Sequence, residues 1–195
     1  MLPAPPAILM PTRLEAGEPV RAPTLAQPGS ARPAAVLVLL TPGAGDAAEI
    51  VLVERADRGG HHSGEIAFPG GKAEPGESPE QTALREAGEE VGLDATAAGV
   101  EVLGRLESFW IPVSDYRVDP VLAIARRRPE LRASPDEVAS IVRAPLAAFL
   151  PAAPIQVVER EIRGWRLRFG AYPVGGHLVW GATARVLGQL GALLG

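Results

Sequence analysis

The chain has 195 residues, 47% of them hydrophobic, with a formal net charge of −4 and no cysteine. That is enough apolar material for one sizeable core, while disulfides and thiol chemistry are excluded. The acidic balance argues against a protein that grips duplex nucleic acid by its phosphates, so no stable nucleic-acid partner is expected.

No apolar run approaches the roughly 20 residues of a membrane-spanning helix, so no membrane partner is expected. The start lacks a basic n-region and holds too many prolines for a signal segment. With the missing cysteines this fits a reducing, cytoplasmic setting. The sequence is silent on oligomeric state.

Residues 1–32 are rich in Pro, Ala and Gly and read as an extended or partly disordered arm, with a folded domain over 33–195. Residues 33–40 form a continuous apolar run, the pattern of a buried strand. A Pro- and Gly-containing turn at 41–46 leads into a second strand at 49–55, and the pair reads as a hairpin. Ser78 suits an N-cap, Pro79 the first helical position, Gln81 a capping box and Gly92 the C-terminal stop, so a helix is expected between them. Strand-like stretches follow at 100–108, 118–125, 137–142 and 156–161, then an alternating stretch at 165–169. Residues 178–194 have helical apolar spacing and should form the second main helix. Two helices against a mixed sheet make a layered α/β domain.

The capped helix carries the chemistry. Taking Arg85 as zero, Glu89 falls near 40°, Glu86 near 100° and Glu90 near 140°, at roughly 100° per residue. Leu84, Ala87, Gly88 and Val91 occupy the opposite face. Glu86 and Glu90 are i,i+4 neighbours, with Cβ atoms about 5–6 Å apart. Like charges this close repel; Arg85 relieves part of that, and a bound cation relieves more. Carboxylate oxygens are hard ligands suited to Mg²⁺ or Mn²⁺, ions that accept phosphate oxygens and acidify bound water. Taken alone, an Arg-Glu-x-x-Glu-Glu stretch also fits a solvated surface helix. Upstream, Phe68-Pro69-Gly70-Gly71 and Gly76-Glu77 form a glycine-rich approach that lets backbone come close to a ligand.

From Gly71 to Leu93 the sequence resembles the Nudix box, Gly-x5-Glu-x7-Arg-Glu-U-x-Glu-Glu-x-Gly-U with U aliphatic. Gly71, Glu77, Arg85, Glu86, Glu89, Glu90, Gly92 and Leu93 match at the required spacing, with the small Ala87 at the first U. The resemblance implies the Nudix fold, a mixed β-sheet sandwiched between α-helices, and Mg²⁺- or Mn²⁺-dependent hydrolysis of a diphosphate linked to a nucleoside. It implies metal binding by Glu86, Glu89 and Glu90, a catalytic set of Arg85, Glu86 and Glu89, and structural roles for Glu77 and Gly92.

The flanks resemble the coenzyme A pyrophosphatase branch. Arg55-Ala56, Gly64 and Phe68 to Gly71 agree with its upstream motif, and His62 sits where that branch often has histidine. Val53 and Gly60 depart from it; the second is a lost basic residue for which Arg58 is the nearest substitute. Tyr116-Arg117-Val118-Asp119-Pro120, Asp136-Glu137-Val138 and Trp180-Gly181 also resemble that branch, which then covers about residues 33–190. The implied substrate contacts are Arg55, Arg58, His62, Gly64, Phe68, Gly70, Gly71, Lys72 and Arg117. Glu137 is a further catalytic candidate, or a strand-end charge. The implied reaction splits coenzyme A into 3',5'-ADP and 4'-phosphopantetheine. Alternatives are ADP-ribose, NADH or a nucleoside triphosphate as substrate, or a non-catalytic ligand-binding regulator on the same fold.

Overall fold

The apolar run after residue 32 is the axis of the structure. The protein is described by a computed structural model covering residues 2–20, 29–45, 47–56, 64–112, 114–162 and 164–195. In chain order its strands are β1 (Thr12–Glu15), β2 (Glu18–Val20), β3 (Arg32–Pro42), β4 (Ala48–Arg55), β5 (Ile66–Ala67), β6 (Gly70–Lys72), β7 (Val100–Arg105), β8 (Phe109–Ile111), β9 (Tyr116–Ala125), β10 (Val138–Pro145), β11 (Gln156–Ile162), β12 (Trp165–Val174) and β13 (His177–Val179). Helices α1 (Pro79–Val91), α2 (Ala95–Ala98) and α3 (Gly181–Leu194) complete a mixed α/β chain that is mostly strand. The chain forms two compact units, Gln27–Leu146 and Met1–Ala26 with Ala147–Gly195.

In Gln27–Leu146 the sheet runs β10-β4-β3-β9-β7, with β5 on β4, β6 on β3 and β8 on β9. β3 and β9 are parallel from Arg32↔Tyr116 to Leu40↔Ile124. The expected hairpin of β3 and β4 is paired over only three residues, Leu40↔Ile50 to Pro42↔Ala48. Beyond them β6 takes the edge of β3, pairing Val36↔Gly70, Ala35↔Gly71 and Ala34↔Lys72. This parting of β4 from β3 brings the two glycines into the sheet.

Alternate residues Ala35, Leu37 and Leu39 share a core with Ala83, Ala87 and Val91 of α1 and with Val121 and Ala123 of β9. Small residues on α1 let helix and sheet approach closely. Val38, Ile50 and Leu52 are fully buried as well, so the unbroken apolar run reflects burial of both strand faces.

In the other unit the order is β11-β12-β1-β2, with β13 on β12. Part of the stretch read as an arm is therefore extended as strand. The β1–β2 turn places Ala16 (φ 50°) and Gly17 (φ 86°) in the left-handed region, the signature of a type I′ hairpin. A short 3₁₀ turn, Ala7–Leu9, precedes it. Leu9 is fully buried where Gly188 leaves room: a Cβ at Gly188 would stand 2.6 Å from the Leu9 side chain. The last helix starts at Gly181 rather than at 178, because Leu178 and Val179 pair with Pro173 and Tyr172. Trp180, at the start of that helix, stacks on Phe169 at 4.8 Å.

Candidate active site

Local sequence builds α1 as expected. Ser78 and Gln81 exchange side chain and backbone in a capping box, with Gln81 N to Ser78 Oγ at 3.3 Å and Ser78 N to Gln81 Oε1 at 2.8 Å. Gly92 takes φ 64°, and its N–H bonds the Gly88 carbonyl at 3.0 Å, closing the helix.

Arg85 lies at the centre of a bracing network. Its Nε donates to Glu77 Oε1 (2.7 Å), and NH2 donates to Glu77 Oε2 (3.1 Å) and the Lys72 carbonyl (3.0 Å). Its NH1 donates to Glu86 Oε1 and Glu89 Oε2, both at 3.0 Å. Glu77 also accepts from Thr82 Oγ1 (2.8 Å) and Glu74 N (2.9 Å). The Arg85 hydrogen bonds, then the Glu74 amide, pull the Glu77 carboxyl down to about 2. The same bonds raise the Arg85 pKa further above its already high ordinary value.

Glu86 and Glu90 are in the opposite condition. Glu90 is only 4% exposed, and burial pushes its carboxyl up to about 7, against the lowering effect of a 3.0 Å hydrogen bond from Gly70 N. Burial raises Glu86 too, more than Arg85 lowers it. The Glu86 carboxylate lies over Gly71, where a Cβ would stand 2.6 Å from Oε2. At Gly70, with φ 152°, a Cβ would stand 2.4 Å from the Ala35 carbonyl oxygen. The two glycines are therefore places where carboxylate and backbone must approach closely.

Glu137 adds negative charge that raises both Glu86 and Glu90, while Arg55 lowers Glu90. A turn puts Glu137 there. Ser134 N bonds the Glu90 carbonyl (2.8 Å), Glu137 N bonds the Ser134 carbonyl (3.0 Å), and Ala56 N bonds the Glu137 carbonyl (2.9 Å). The segment that closes the end of α1 thus also carries the acid that faces it.

The structure brings Arg55, Gly70, Gly71, Lys72, Glu77, Arg85, Glu86, Glu89, Glu90 and Glu137 into one neighbourhood. Gly64 is adjacent, its N–H on the Arg55 carbonyl at 3.0 Å. Lys72 is exposed, and its carbonyl is what Arg85 holds. Phe68, expected to touch substrate, is 4% exposed and stands two residues before the glycine pair that enters the sheet. Arg117 stands on β9, on the other side of β3 from Gly71. Arg58 and His62 lie outside the described residues. Ser108, Arg105 and Arg117 gather around Asp119, a cluster the sequence does not announce, because only pairing of distant strands collects it.

Among the described residues no three acidic or histidine side chains converge tightly enough, as they stand, to hold a metal ion. Glu89 and Glu86 turn to Arg85 and Glu90 to the Gly70 amide. The donor chemistry nevertheless fits Mg²⁺ or Mn²⁺: hard carboxylate oxygens, of which buried Glu90 and partly buried Glu86 are raised first by burial, with Glu137 adding to both. Binding would draw these carboxylates away from their present partners.

A family model described as the NUDIX domain matches residues 31–167. Nudix hydrolase 15, mitochondrial, of Arabidopsis thaliana is 36% identical over 161 residues, covering 79% of this chain and 55% of that protein. The chain thus spans about half the length of this plant relative. A Photorhabdus laumondii protein called uncharacterized Nudix hydrolase NudL is 35% identical over 145 residues, 72% of this chain and 74% of its own. The crystal structure of a Nudix hydrolase from M. smegmatis, RenU, matches with a TM-score of 0.51 at 28% identity, over 60% of this chain and 72% of that one.

Proposed function

The chain belongs to the Nudix family, and on that premise we propose that it is a metal-dependent hydrolase that cleaves the pyrophosphate of coenzyme A to 3',5'-ADP and 4'-phosphopantetheine. Support for hydrolysis comes from Glu86 and Glu90, whose carboxyls are both raised chiefly by burial and lie against the Gly70–Gly71 backbone, with Glu86 braced by Arg85. Support for coenzyme A comes from the flanking residues Arg55, Ala56, Gly64 and 68–71, which resemble that branch.

Glu86, Glu89 and Glu90 would hold Mg²⁺ or Mn²⁺, which would supply charge neutralisation for the diphosphate and a lowered pKa for water. Arg85 fixes the direction of Glu86 and Glu89 from one side and the Glu77 loop from the other. Water adds to one phosphorus as the bridging P–O bond breaks, and its proton passes to a glutamate. Glu86 and Glu137 are the candidates, since Glu137 places its charge close enough to raise Glu86. Arg55 and Lys72 meet phosphate oxygens, and Arg58 and His62 belong to the same substrate set. The enzyme works in the cytoplasm on a small-molecule diphosphate.

The test is a panel of coenzyme A, ADP-ribose, NADH and nucleoside triphosphates with Mg²⁺ or Mn²⁺, with products identified by mass spectrometry. Coenzyme A should yield the two named products. Cleavage of ADP-ribose with coenzyme A intact would overturn the substrate, and ligand binding without turnover of any of these would overturn the enzyme.

A further inference from the structure

Ala35 of β3 pairs with Gly71 on one side and with Asp119 of β9 on the other. Gly71, Ala35 and Asp119 form one row across the sheet, so Asp119 lies two strand spacings, about 10 Å, from the Glu86 carboxylate's seat. Asp119 is buried, its side chain 4% exposed, yet two arginines reach it. Arg117 NH2 donates to Oδ2 at 3.2 Å, Arg105 NH1 approaches Oδ1 at 3.9 Å, and Ser108 Oγ donates to Oδ1. Arg105 and Arg117 are themselves 49% and 47% exposed.

One buried carboxylate needs one cation, and this one holds two. A guanidinium has five N–H donors, and the hydrogen bond to Asp119 takes one from Arg117. Among the described residues Arg105 is further tied to Glu80 of α1, by a partly exposed ion pair at 3.4 Å, a contact worth little in water. Trp110, opposite Arg117 on β8, walls the same spot, with its indole N–H fixed on Asp115 Oδ1 at 3.0 Å. Two pre-oriented, half-exposed guanidinium groups beside a flat apolar wall suit a phosphate dianion carried on a nucleoside, which would take Arg105 from Glu80.

We propose that Arg105 and Arg117, seated on Asp119, form a second anion subsite that takes a phosphate monoester on the substrate's ribose, apart from the diphosphate that is cut. This rests on the coenzyme A reading, since coenzyme A carries such a phosphate. The full chain is assayed on coenzyme A and on dephospho-coenzyme A, which lacks only that group, with Mg²⁺. Wild type should favour coenzyme A in kcat/KM by about ten-fold or more, and the ratio should fall toward one in Arg105→Ala/Arg117→Ala. Arg105→Lys and Arg117→Lys keep a charge on Asp119 and should hold the melting temperature while losing part of the preference, which covers the case in which the double alanine variant unfolds. Equal turnover of both substrates by wild type, or a preference that survives the substitutions, overturns the subsite. Coenzyme A left intact while NADH is cut overturns the coenzyme A reading instead. The subsite is then read on NADPH against NADH, which differ by a ribose phosphate, with the same two outcomes.

Discussion

Two glutamates a turn and a helix apart, Glu77 and Glu90, meet opposite fates in the same Nudix box. Glu77 accepts four hydrogen bonds from Arg85, Thr82 and Glu74, and its carboxyl is held near 2. Glu90 is buried with one amide partner, and its carboxyl is lifted to about 7. The first is electrostatically settled and shapes the loop. The second has one amide bond to set against burial and the charges of Glu86 and Glu137. The settled carboxylate thus stands just before α1 and the raised one near its end.

The largest expected effect comes from closing the gap that the chemistry side depends on. Gly70→Ala would set a Cβ 2.4 Å from the Ala35 oxygen and 2.5 Å from the Val36 Cα. The predicted loss is about 3 kcal/mol or more of stability, measured by urea unfolding. Glu86→Gln should cut kcat by at least about 10²-fold while leaving the melting temperature equal or higher, because it removes a partly buried charge that burial, Glu89 and Glu137 disfavour. A normal rate in that variant would show that the helix is not catalytic.

Glu77→Gln should do the reverse, lowering the melting temperature at neutral pH. Its carboxyl has a folded-state pKa of about 2 against an ordinary 4.5. Its contribution is therefore complete above about pH 4.5 and is lost as pH falls toward 2. The difference in melting temperature between wild type and Glu77→Gln should narrow over that window, and a constant difference would contradict the assignment. Ser78→Ala, which removes the side-chain half of the helix cap, should cost about 1 kcal/mol with no change in metal affinity by calorimetry.

Much of the bracing half is written locally. Ser78, Pro79, Gln81 and Gly92 state where α1 begins and ends, and the structure agrees. The family and the α/β class follow from the box, and the family match covers it. What sequence hides is what depends on distant pairing. Gly70–Lys72 has no strand propensity and becomes β6 because β3 offers an edge that β4 leaves. Phe68 looks like a ligand contact in a motif and is buried once that strand forms. β1 and β2 are masked by a composition rich in proline and by an Ala-Gly turn where Asn-Gly would have announced a hairpin. The Asp119 cluster spans residues 80 to 119 and exists only after β7 and β8 have each paired with β9.

Leu9, sunk where Gly188 makes way for it, changes what the first ten residues mean for anyone producing this protein. A shortened version initiated at Met10 would look like the removal of floppy proline-rich sequence. It would in fact pull a plug from beside the last helix and leave a hole the size of a leucine, a defect of about 2–5 kcal/mol. Trimming for crystallisation should therefore spare the leader, and fusion partners belong at the other terminus, where Leu193 and Leu194 already face solvent.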